Sequence, residues 1–176
     1  MKKCISAVSA LALAALFAVA HAQQKGPSDP QIAGIVVTAN QIDIDAGKLA
    51  RSRSQSKEVK DFAQRMITDH TAVNQQAGAL VKKLGVTPED SDASKSLKQA
   101  AADNVASLKK IKGTQFDKAY VDHEVVYHQQ VLDAIDKLLI PSAQNAELKG
   151  LITKVRPAIA THLEHAKHIQ ASLGKK

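Results

Sequence analysis

VKDFAQRMITDHTAVNQQAGALVKKL, residues 59–84, is the stretch that decides the fold. Within it Val59, Ala63, Met66, His70, Val73, Ala77, Leu80 and Leu84 recur at alternating steps of four and three. That spacing keeps one stripe of an α-helix turned toward a partner helix. A helix is therefore expected from a cap at Ser56 to a stop at Gly85, because serine side chains accept from free amides and glycine tolerates the left-handed exit.

The same stepping recurs elsewhere. Leu148, Ile152, Val155, Ile159, His162, Ala166, Ile169 and Leu173 follow it, as do Val121, Val125, His128, Leu132, Ile135 and Leu139. Ile32, Val36, Ala39, Asp43, Ala46 and Ala50 form a seam on a first helix whose apolar face is wider. Pro30 is placed to open that helix, which should run to about Ser54 before the small polar residues Ser52 to Ser56 break it. Between the second and third long segments, Val86 to Lys95 reads as a linker containing Pro88, and Ser96 to Ile111 as a modest helix ending at Gly113. Thr114 is the expected cap of the next helix, stopped at Ile140 by Pro141. The last should cover Ala143 to Leu173, kinked at Pro157. Two hairpins joined by the long connection Val86–Gly113 predict an all-α, ferritin-like four-helix bundle over residues 30–174, with one crossover carrying a short extra helix.

Ahead of it, Met1-Lys2-Lys3, the apolar run Ile5 to Ala20 and Ala20-His21-Ala22 have the form of a cleavable signal peptide over residues 1–22, followed by a flexible lead over 23–29. The expected product is a soluble periplasmic protein. Cys4 lies before the apolar run, where it is not placed for lipidation, and it leaves with the signal, so the mature core has no disulfide.

Each of the four seams carries one polar residue: Asp43, His70, His128 and His162. Burying a carboxylate and three imidazoles is costly unless each finds a partner. One explanation is a single transition metal, zinc, copper, iron or manganese, held by three imidazole nitrogens and a carboxylate oxygen. Asp69, Tyr120 and Tyr127 are then the expected outer hydrogen-bonding partners. The competing explanation is a metal-free polar network that fixes packing register in a helical interaction module. A third reading, a metal-dependent oxidoreductase, requires an open coordination position and a path for substrate.

Ile42 to Ala50, Val59-Lys60, Phe62-Ala63, Met66, Asp69-His70, Gly113, Phe116-Asp117, Tyr120, His128, Pro157 and His162-Leu163 together resemble the family called domain of unknown function 4142, of the ferritin-like superfamily. The resemblance implies an exported four-helix domain and puts His70, His128 and His162 at the family's histidine positions. Asp43 stands where the family usually carries the longer Glu. The superfamily's di-iron pattern of Glu-x-x-His is absent, since Ile67, Val125 and Ile159 stand three residues before the three histidines.

The formal charge is +7, but aromatic residues make up only 3% and Trp is absent, which argues against nucleic acid as a partner because bases need aromatic faces to stack on. Lys109, Lys110 and Lys112, with Lys175 and Lys176, read as solvated basic faces. His123, His165 and His168 lie beside the seams, and Glu124 stands four residues before His128. No Ser-His-acid triad or Gly-rich phosphate loop can be built, so no catalytic residue is assigned. An envelope protein or a second copy of the chain is left open as a partner.

Overall fold

The computed structural model describes residues 26–175, and the expected signal peptide and the start of the lead lie outside them. Every regular element among the described residues is helical, as the seams predicted: α1 Asp29–Arg53, α2 Lys57–Leu84, α3 Asp92–Leu108, α4 Gly113–Ala134, α5 Ile140–Ser142 and α6 Ala146–Leu173. A π-helical turn, Ile135–Leu139, joins α4 to α5. None of these helices is long and apolar enough to cross a membrane.

Local chemistry sets the helix ends. Ser28 and Gln31 form a reciprocal capping box at α1, with Pro30 in its first turn. The Ser56 hydroxyl accepts from the Val59 amide, and Gly85 closes α2 in the left-handed region at φ 64°. Several boundaries depart from the sequence expectation. α3 begins at Asp92, not Ser96, because Ser91 and Ser94 cap each other reciprocally. Thr114 is not a cap, since Gly113 already starts α4 and no side chain caps it. Pro141 does not stop the helix at Ile140. Instead the backbone widens just before it, the Ile140 amide donating five residues back to the Ile135 carbonyl, and helical structure continues to Ser142. α6 then starts at Ala146, three residues later than expected, where the Asn145 side chain accepts from the Glu147 and Leu148 amides. It runs unbroken through Pro157.

α1 pairs with α2 and α4 with α6, and α3 lies in the long crossover between the hairpins, packed chiefly on α1. Close packing needs glycine at two places on α1. A Cβ at Gly47 would lie 2.9 Å from the Ala63 carbonyl oxygen on α2, and one at Gly34 would lie 2.0 Å from the backbone oxygen of Glu89 in the crossover. The crossover is anchored at its far end by Arg53, which donates to the Lys109 and Ile111 carbonyls at 3.2 and 2.8 Å.

The core is two apolar clusters separated by a polar layer. Phe62, Met66, Phe116, Tyr120, Val121 and Ile169 are at the heart of one. Ile32, Ile35, Leu139, Leu148, Ile152 and Ile159 are at the heart of the other. Removing a ring such as Phe62, which is fully buried, should cost about 3–5 kcal/mol, a large share of a domain's net stability. Against that background a buried layer of charge-bearing groups stands out.

Candidate metal centre

α1 supplies Asn40 and Asp43 to this layer, α2 supplies His70, α4 supplies Glu124 and His128, and α6 supplies His162; all six are buried. Each lies about midway along its helix, between the residues of the two apolar clusters, so bundle packing alone brings them to one level.

The three imidazoles form a near-equilateral triangle, with ring centroids 5.8 Å apart for His70 and His128, 5.3 Å for His70 and His162, and 5.5 Å for His128 and His162. One ligand nitrogen from each can be chosen so that all three lie within 4.8 Å of one another. Asp43, Glu124 and His128 form a second group meeting the same condition. The four residues expected to meet at one point are therefore arranged as two overlapping triads that share His128, and Glu124 joins them. Asp43 still reaches the first triad, with Oδ2 3.4 Å from His70 Nε2. That separation is close to the roughly 3.3 Å expected between two ligands of one tetrahedral ion with bonds near 2.0 Å.

Hydrogen bonds determine how each ring is presented. His70 Nδ1 donates to Asn40 Oδ1 at 2.7 Å, and the Asn40 amide is itself oriented by donating from Nδ2 to the Val36 carbonyl at 2.8 Å. His128 Nδ1 donates to the Glu124 backbone carbonyl at 3.0 Å. His162 Nε2 donates to Asp69 Oδ2 at 2.9 Å, and Arg65 holds the same oxygen at 3.4 Å. Every partner is an acceptor, so in the neutral ring each of these nitrogens must carry the hydrogen and the opposite nitrogen must carry the lone pair. Those opposite atoms, His70 Nε2, His128 Nε2 and His162 Nδ1, are buried and have no hydrogen-bond partner. Asp43 Oδ1 and both Glu124 carboxylate oxygens share that condition. Left unpaired, such groups cost about 1–3 kcal/mol each, and more when charged.

The electrostatics divide the layer. Burial, reinforced by His128 and His162, depresses His70 to about 3, so it is neutral at ordinary pH. Burial also lowers His162, partly countered by its bond to Asp69. At His128 burial acts in the same direction, but the carboxylates of Asp43 and Glu124 outweigh it and raise the ring to about 9. Asp43 is pushed well above the ordinary carboxylate range by burial and by Glu124. Two neutral lone-pair donors thus face one imidazolium held by a buried acid pair.

Asp69 occupies the outer position expected of it. Tyr127 and Tyr120 do not. The Tyr127 hydroxyl donates to the Ala39 carbonyl at 3.1 Å, and its ring packs edge-on against His128, centroids 6.1 Å apart. The Tyr120 hydroxyl is buried without a partner, and burial together with Glu124 and Asp43 raises its pKa well above the usual phenol value. Sequence reading missed Glu124 and Asn40. Both were within reach of a wider stripe, since Val121, Glu124 and His128 step by three and four, as do Val36, Asn40 and Asp43. His123 stacks on Tyr127 at 5.7 Å and His165 meets Phe62 edge-on at 5.2 Å, so these two act as packing groups on the flanks.

No curated relative matches the chain in sequence. Among solved structures it is similar to one described as "CopM in the Cu(II)-bound form", with a TM-score of 0.63 at 12% identity over 84% of this chain and 98% of that one. That likeness is one of fold. The family model described as a domain of unknown function (DUF4142) matches residues 14–169, and the chain belongs to that family.

Proposed function

We propose that the bundle binds one transition-metal ion in its core, through His70 Nε2, His128 Nε2 and His162 Nδ1 with Asp43 as carboxylate ligand, and that it acts in metal handling. The observation that carries this reading is the outward hydrogen bonding of all three rings. Asn40, the Glu124 carbonyl and Asp69 each hold one nitrogen and leave the other bare. Histidines that bind metals are oriented in this way, because a fixed outer hydrogen bond selects the tautomer and raises the basicity of the ligating nitrogen. A network built only for packing register has no use for three inner ring nitrogens converging without partners.

Charge balance supports the same reading. A divalent ion on three neutral imidazoles would bring two positive charges into the core, and Asp43 with Glu124 supplies two compensating carboxylates. The donor set of imidazole nitrogen and carboxylate oxygen suits copper and zinc, and the copper-bound fold neighbour makes copper the first ion to test. When bound, such an ion offers Lewis acidity or, for copper, one-electron exchange. Export to the periplasm by a cleavable signal over residues 1–22 belongs to this reading, because that stretch has the form of a signal peptide.

The test is elemental analysis of mature protein prepared without chelator and reconstituted with copper or zinc, beside a variant with His70, His128 and His162 all replaced by Ala. One equivalent of metal in the natural protein alone is the expected result. Metal-free protein that stays so after reconstitution would overturn the proposal.

A further inference from the structure

Cations that are scattered along the sequence gather at one end of the bundle. α1, α3 and α6 finish there, and α2 and α4 begin there. The bonds from Arg53 to the Lys109 and Ile111 carbonyls and from Ser172 to Glu58 tie these helix ends together. Arg51, Lys60, Lys109, Lys110, Lys112 and Lys175 are all exposed at this end. Among the described residues none of the six takes part in an ion pair. Acids on the opening turns of α2 and α4 offset them only in part: half-buried Glu58 accepts from the Ser172 hydroxyl at 3.3 Å, Asp61 pairs with Lys57, and Asp117 is buried. At the opposite end Asp29, Glu89, Asp90, Asp136 and Glu147 lie among the lysines, so the charge there is mixed.

Helix stability does not account for this placement. The helix dipole favours acids at N-termini and cations at C-termini. The opposite end follows that rule, with Asp29 and Glu147 in the first turns of α1 and α6 and Lys82 and Lys83 in the last turn of α2. At the basic end Arg51, in the last turn of α1, follows it too, but Lys57 opens α2 and Lys112 stands at the N-cap of α4, where a cation is disfavoured and makes no cap. The short connection carrying Lys109, Lys110 and Lys112 is also held in place before any partner arrives, because Arg53 donates to two of its carbonyls while its guanidinium lies 5.4 Å over the Phe116 ring.

We propose that this end of the bundle is a docking face for an anionic phospholipid surface. Charge complementarity selects the partner: each Lys or Arg close to such a surface raises partition about fivefold, so a cluster of this size suffices without apolar insertion. A protein partner would need an aromatic or apolar anchor. Among the described residues the one exposed large apolar side chain is Val126, well inside α4 and away from this end. Single-stranded nucleic acid would need aromatic faces, and both tyrosines and Phe116 are buried. The proposal requires no ion in the core and stands apart from the metal reading.

Co-sedimentation with vesicles tests it, using the mature chain from Gln23 onward so that the apolar run Ile5 to Ala20 contributes nothing. Vesicles of equal parts phosphatidylglycerol and phosphatidylcholine are compared with phosphatidylcholine alone, at about 0.1 M salt, where the Debye length is about 10 Å. Binding to the anionic vesicles only is expected. Replacing Lys109, Lys110 and Lys112 together by Gln should weaken it at least about tenfold. A charge-matched variant with Lys82, Lys149 and Lys154 replaced by Gln removes exposed cations that lie more than about 25 Å farther along the bundle, and should change binding less than about twofold. Arg51→Gln combined with Lys60→Gln, on two other helices, should weaken binding at least about fivefold and carries the test if the first variant melts early. Failure to bind anionic vesicles, equal binding to phosphatidylcholine alone, or equal loss in the charge-matched variant would overturn the docking face. A short DNA duplex that binds more tightly than the vesicles at the same salt would assign the face to nucleic acid and overturn the membrane.

Discussion

The two triads that share His128 are equally buried but built in opposite ways. In the triangle of His70, His128 and His162, every ring has an acceptor on its outer nitrogen, so the inner lone pairs of His70 and His162 are presented without further adjustment and that of His128 once its ring gives up its proton. In the group of Asp43, Glu124 and His128, both Glu124 oxygens lack hydrogen bonds, and the nearest cation is the His128 ring at 3.3 Å. One triad is preorganised by hydrogen bonds, while the other is held by charge. The difference teaches that His128 has two roles: it belongs to the donor triangle, and in metal-free protein its proton neutralises the acid pair.

Removing the shared residue should break both triads at once. His128→Ala is expected to abolish metal binding, and to lower the urea-derived stability of metal-free protein by about 3–5 kcal/mol, because the buried carboxylates lose their counter-charge. An unchanged urea midpoint would show that the acid pair is compensated elsewhere. Next in size is a pH effect. The folded-state pKa of His128, about 9, lies above its unfolded value near 6.5. Its stabilisation is therefore complete below pH 6.5 and is lost as pH rises through 9, with a slope approaching about 1.4 kcal/mol per pH unit. His70, depressed to about 3, has the opposite sign: its contribution is present above pH 6.5 and is lost as pH falls toward 3. Melting of metal-free protein from pH 6.5 to 9.5 should show the decline, and His128→Gln should flatten it.

Smaller effects separate the triads. Asn40→Ala and Asp69→Ala remove outer acceptors from two rings of the triangle, and each should lower metal affinity by about 10–100-fold in a competition titration with a chromophoric chelator. Affinity equal to that of the natural protein in both would show that the outer bonds do not orient the ligands. Glu124→Gln should act on the charged triad only. It is expected to change metal affinity less than about tenfold, while the His128 ring titrates closer to pH 6.5 in an NMR experiment on metal-free protein. His165→Ala, on the flank, should change neither quantity.

The histidines were legible in the sequence because helical periodicity is a local property. Once Val121, His128 and Leu132 step by sevens and fours, His128 must share a face with them whatever the rest of the chain does. The stepping of Val121, Glu124 and His128 offers Glu124 a place on a wider stripe, but its full burial depends on how far α4 is rolled toward α1 and α6, which no spacing within α4 determines. The early start of α3 was missed for a simpler reason: the Ser91 and Ser94 capping box lies within a run of polar residues that otherwise reads as linker. At Pro141 the sequence marks trouble for a helix, but whether the chain stops or widens depends on the cost of exposing Ile135 and Leu139, both buried in the core.

Read alone, the amino-acid order determined that four amphipathic helices would form, that their seams would each carry one polar group, and that the hairpins would need a long connection. These follow from side-chain spacing and backbone geometry over a few turns. Only the tertiary structure decided the heights at which those polar groups meet, which nitrogen of each ring is bare, that Glu124 joins them, and that scattered cations gather at one end of the bundle. Those outcomes depend on helix roll, axial offset and contacts between residues far apart in the chain, such as His162 with Asp69 and His70 with Asn40. Such relations arise only when the helices pack against one another.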